Sequence, residues 1–160
     1  PPRSTLFPYT TLFRSTSVSS FREFLTAFAF ILLALTICFA SEKDIEKSEV
    51  IKEAVSYFEA EVSGDSEAVW RSLAPSSVFK RDYSYDQYLE LQAGSNLKVT
   101  EYKVLEVVEI MHNNDPTALP GVEKLAAVKV WVRLKSKDGR ESEHNNIFMF
   151  LKENGKWFKG

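Results

Sequence analysis

The stretch from Val122 to Leu151 limits what this chain can fold into more than any other. Val128, Val130, Val132 and Leu134 alternate with Lys129, Trp131, Arg133 and Lys135. A period of two marks a strand with one face in a core. Asp138-Gly139 follows, a dipeptide that tolerates the positive φ angles of a tight hairpin turn, and Asn146 to Leu151 forms the return strand. A two-residue turn would place Val132 opposite Asn145, Val130 opposite Ile147 and Val128 opposite Met149, all on the core side. The other side would carry Trp131 opposite Asn146, Arg133 opposite His144, Lys129 opposite Phe148 and Ala127 opposite Phe150. A slip of one residue would swap the faces, making the aromatic side the core and exposing the valines, so the assignment depends on the turn.

Ahead of the sheet the chain has three parts. Residues 1–15, PPRSTLFPYTTLFRS, resemble the codon-by-codon translation of a sequencing-library adapter and are set aside from fold reasoning. Residues 16–40 follow the pattern of a secretory signal. Arg22 precedes an apolar run from Phe24 to Phe39, and small Ala40 and Ser41 bracket the expected cut. The run is shorter than the ~18 residues of a spanning helix, so contact with the membrane is expected to be transient. Leu35-Thr36-Ile37-Cys38 is a loose lipoprotein box, and an uncleaved anchor is the other alternative. The expected address is export, either to a bacterial periplasm or by secretion.

Residues 41–160 are then the folded domain, with the C-terminus expected to be either a short strand or a truncation. Cys38 is the single cysteine, so a chain cut after Ala40 has no disulfide, thiol nucleophile or cysteine metal site. Without Arg3, Arg14, Arg22 and Glu23 the domain keeps 17 basic and 21 acidic side chains, a net charge of −4. That balance argues against nucleic acid and against an anionic membrane surface as partner.

Residues 41–62 read as an amphipathic helix. Ile51, Val55, Phe58 and Val62 form the stripe, Ala54 and Tyr57 widen it, and Glu46, Lys47, Glu49, Lys52 and Glu53 lie opposite. Gly64 ends it and Asp65 caps a second helix over 66–73, which Pro75 stops. Ser84 and Gln87 fit a capping box for a third helix over 85–92, closed by Gly94. A long strand over 97–111 breaks its alternation at Val104-Leu105, where a bulge would restore the inward face. His112 to Pro116 is turn chemistry. A last strand is expected over 156–159.

Helices followed by long antiparallel strands predict an α+β fold. On Tyr57-Phe58-x-Ala60, on Gly64-Asp65-x-Glu67-Ala68-Val69-Trp70 and on Gly155-Lys156-Trp157-Phe158, the chain from about Ile45 to Gly160 resembles the NTF2-like (cystatin-like) superfamily. The resemblance implies N-terminal helices packed on a strongly curved antiparallel sheet, a pocket at the mouth of the resulting cone, and frequent dimers through the sheet. It does not imply one activity, since members include isomerases, dehydratases, epoxide hydrolases and non-catalytic binding domains.

The first expectation is a non-catalytic domain that holds a small apolar ligand or a protein partner, without a cofactor. Tyr57, Trp70, Tyr83 and Tyr88 are the candidate pocket residues. The second is a small cofactor-free isomerase, dehydratase or hydrolase. Family enzymes of that kind pair a carboxylate or His base with a Tyr that stabilises an oxyanion. Asp82 or Asp86 would then be the base and Tyr83, Tyr85 or Tyr88 the donor, against the plainer reading that the tyrosines pack and the acids face water. His144 is expected beside Arg133 as a solvated residue and His112 in a plain turn, with no metal site. Trp131, Phe148 and Phe150, brought together by the expected register, are the candidate face of a homodimer.

Overall fold

The computed structural model describes residues 42–160. The adapter-like stretch over 1–15 and the expected signal over 16–40 lie outside the described residues. Lys43–Gly160 form one compact unit. Its elements are helices followed by a four-stranded antiparallel sheet with the strands in sequence order.

Helix α1 runs over residues 42–63. Its buried stripe is Glu46, Val50, Ala54 and Phe58, each four residues from the last, with Ala60 beyond. The expected stripe is corrected here by one position: Ile51 is exposed and Glu46, expected on the wet side, is buried. The cause lies on the sheet. Lys124 and Lys152 both donate to Glu46 Oε1, at 2.6 and 3.0 Å, and turn that side of the helix inward.

Gly64, at φ +76°, ends α1 in the left-handed conformation, where a side chain would be strained. Asp65 then accepts from Ala68 N and caps α2, Ser66–Ser72. A short helix α3, Val78–Asp82, was not expected from the sequence; Ser77 caps it. Five residues are too few to show a helical period. The capping box of α4, Tyr85–Gly94, forms as expected, with Ser84 and Gln87 each bonding the other's backbone N–H.

Strands β1, Leu97–His112, and β2, Val122–Ser136, form the first hairpin of the sheet. The expected bulge at Val104-Leu105 is present, and two more occur at Thr100 and Val108. Each inserts one residue, so the inward side chains are Val99, Tyr102, Val104, Val107 and Ile110. Leu105 and Val108, the extra residues, are exposed.

Strand β3, Glu141–Glu153, returns with a register one step from that expected: Val132 faces His144, Val130 faces Asn146 and Val128 faces Phe148. The loop is three residues long, not two. Ser136 N–H donates to Arg140 O at 2.8 Å, and Gly139 alone takes positive φ, +88°. Asp138 does not take positive φ. Its carboxylate accepts from the Ser136 hydroxyl, from Arg140 N–H at 3.3 Å and from Arg140 Nε at 2.7 Å. The valine side still faces the core, but the return strand presents its other set of side chains to it. Phe150 is 0% exposed and Phe148 packs against Phe58 at 4.9 Å, while Ile147 turns outward.

Strand β4, Lys156–Lys159, joins β3 through Asn154-Gly155, where both residues have positive φ and the turn is the two-residue kind. A parallel bridge from Leu73 to Lys159, with Ala74 N–H donating to Lys159 O at 2.7 Å, closes the sheet against the segment after α2. The main core lies between α1 and the inward faces of β1–β4. A second cluster joins α1, α2 and α4 through Ala60, Val69, Leu73 and Tyr88.

Candidate functional site

A cavity of about 580 Å³ opens between the last turn of α1, α2, α4 and the adjoining ends of β1 and β2. The volume lies within the range of small-molecule sites. Ala60, Val69, Tyr88, Leu89 and Leu97 supply its apolar wall. Local sequence places each. Gly64 stops α1 so that Ala60 and Glu61 face the opening, and the Ser84 box starts α4 so that Tyr88, Leu89 and Gln92 fall along one side.

Tyr88 is 2% exposed, and its hydroxyl accepts from Gln92 Nε2 at 2.7 Å. Burial pushes its pKa up to about 12, and the nearby Glu61 charge adds to the shift. Glu61 is the carboxylate of the wall. Its Oε1 accepts from the Tyr57 hydroxyl at 2.7 Å. Burial, then the Glu61 charge and that hydrogen bond, raise the Tyr57 phenol well above its ordinary range. Burial depresses the Lys159 ammonium, with the Glu61 charge opposing. The other side of the opening carries Lys98, Lys135 and Lys137.

Of the residues expected from sequence, Tyr88 lines this cavity. Tyr57 stands behind Glu61 and spans the two core clusters. Trp70 packs in an aromatic group, its ring tilted against Tyr85 at 5.8 Å and Tyr88 at 5.1 Å. Tyr83 is partly exposed and leans on Phe79 at 6.2 Å. Asp82 pairs with Arg81 at 2.8 Å, and that hydrogen bond holds its carboxyl below the usual range. Asp86 is exposed in the first turn of α4. Neither acid nor Tyr83 nor Tyr85 is in the cavity wall.

The three-residue loop also separates the aromatic trio. Phe148 and Phe150 face the core, and Trp131 stays on the other face, 5.3 Å from the Arg133 guanidinium. His144 stands opposite Val132 rather than Arg133; it is exposed and lies 3.1 Å from the Ser142 hydroxyl. His112 ends β1, and the side chains of Asn113 and Asp115 organise the turn after it through hydrogen bonds to backbone groups. Among the described residues no His, Cys, Asp and Glu group could hold a metal ion.

Glu61, Gln92 and the three lysines were not anticipated. Glu61 was detectable in principle, as a carboxylate four residues after Tyr57 near the end of the apolar stripe. The lysines were not, because their convergence depends on the bulge at Thr100 and on the loop length. Comparison with protein-family models, with curated proteins and with solved structures finds no match. Among the described residues no helix is long and apolar enough to cross a membrane.

Proposed function

We propose that this is an exported, non-catalytic binding domain of the NTF2-like type, and that a small, largely apolar molecule occupies the cavity beside α4. The observation that carries the reading is that cavity: about 580 Å³, walled by Val69, Tyr88, Leu89 and Leu97. The order of helices and then antiparallel strands supports the family reading, while the sheet, despite the three bulges of β1, is not strongly curled as the cone implies. The enzyme alternative loses support because Asp82 and Asp86, its bases, stand away from the wall. A thermal-shift screen of apolar and amphipathic molecules tests the reading. At least one class should raise Tm, and Ala93→Trp, which fills the cavity from α4, should abolish the shift. No shift across the screen overturns it. Export is tested separately, by mass spectrometry for a mature chain that starts at Ser41.

A second reading has its own observation. The outer face of the sheet exposes Ile147 at 54%, Val108 at 53% and Leu105 at 41%. Two copies pairing through this face would cover them. Sedimentation of the protein and of Ile147→Asp decides: a monomer at high concentration rules pairing out.

A further inference from the structure

We infer that the ligand of this cavity carries an anionic head, held by Lys98, Lys135 and Lys137, with its apolar body against α4; the assignment rests on the cavity being a ligand site. The first observation is a local conflict. Lys98 and Lys135 are direct cross-strand partners. Like charges in that position destabilise a sheet, and each position on a solvated strand end accepts an opposite charge readily. Lys137, also in the wall, sends its ammonium to Ala93 O beside the same opening. The domain as a whole is acidic, so this concentration runs against its average. A rule broken locally with only weak local compensation is where a binding role is expected.

The second observation is pairing. Lys135 meets Glu141 at 3.7 Å, a half-exposed contact of little energy. Lys98 and Lys137 have no carboxylate within ion-pair distance among the described residues. Lys137 Nζ donates to Ala93 O at 3.2 Å, in the last turn of α4, where the helix dipole favours a cation. That uses one of its three donors and leaves two. The third observation is direction. Glu61, on the α1 side, repels an anion, so the head is steered to the lysine side and a hydroxyl or other donor is favoured at the Glu61 end.

A matched pair of dyes tests this: anilinonaphthalene sulfonate and its uncharged parent, phenylnaphthylamine, titrated by fluorescence into the whole protein. The sulfonate should bind about tenfold tighter, the size of one charge-assisted contact in a half-open site. The preference should shrink as salt is raised and disappear in Lys98→Gln/Lys137→Gln. Ala93→Trp should lose both dyes. Equal affinity for the two dyes, or a preference that survives the double substitution, overturns the anionic head and leaves the cavity reading standing. Binding of neither dye, or binding unaffected by Ala93→Trp, overturns both.

Discussion

The two ends of α1 make the same kind of contact with opposite outcomes. Near its start, Glu46 is 9% exposed, and two lysines of the sheet close on one of its oxygens. Lys152 also lies 5.5 Å over the Trp157 ring. In the last turn, Glu61 meets a lysine of the sheet only at longer range, is held by the Tyr57 hydroxyl, and faces a cavity. The helix dipole favours a carboxylate at the first end and opposes one at the second. A buried charge with its partners closed around it locks α1 onto the sheet. A charge kept where the helix disfavours it, beside open space, reads as part of a site. The difference lies in the closure of the pair, not in the residue types.

Substituting each carboxylate tests that contrast. Glu46→Leu strands two lysines at the sheet and should cost roughly 3 kcal/mol in denaturant unfolding. Glu61→Leu removes an ill-placed charge from a helix end but leaves the Tyr57 hydroxyl without its acceptor, so it should cost about 1–2 kcal/mol, less than Glu46→Leu, while altering dye binding. Equal losses would erase the distinction between the two ends.

Acid titration comes next. Burial works against the ionised Glu46, but hydrogen bonds and charges from Lys124 and Lys152 outweigh it and hold its carboxyl below the ordinary 4.5. A carboxyl lowered on folding stabilises the fold above its unfolded value. That contribution should be present near neutral pH and fade as pH falls below about 4.5. Unfolding curves across that window should flatten in Glu46→Gln. Tyr57→Phe removes one hydrogen bond from Glu61 and should cost about 1 kcal/mol. The triple change of Glu46, Lys124 and Lys152 to Met should be smallest, within about 1 kcal/mol of the parent, since an apolar replacement of a whole buried ion group is often neutral.

The contrast also shows which features were legible. The valine face of β2, the Asp65 cap, the Ser84–Gln87 box and the Val104-Leu105 bulge were, because each depends on neighbours within a few residues. The return strand was not. Asp138-Gly139 and Asn154-Gly155 look alike in sequence, yet Asn154 accepts positive φ and Asp138 does not. Asp138 spends its carboxylate on Ser136 and Arg140, and one extra loop residue shifts all of β3. The candidate site was legible only in Tyr88 and in Tyr57 behind it. Asp82 and Asp86 carried the chemistry expected of a base but sit on solvated helix ends.

The sequence by itself determined α1, α2, α4 and the four strands, the side of β2 that is buried and the Asp65 and Ser84 caps, because side-chain period and backbone chemistry act over short distances. The tertiary structure alone decided that Glu46 is buried, that Phe148 and Phe150 join the core, and that three lysines meet Glu61 around one cavity. Those outcomes depend on which distant residue arrives as a partner, and a one-residue change in loop or bulge is enough to exchange it.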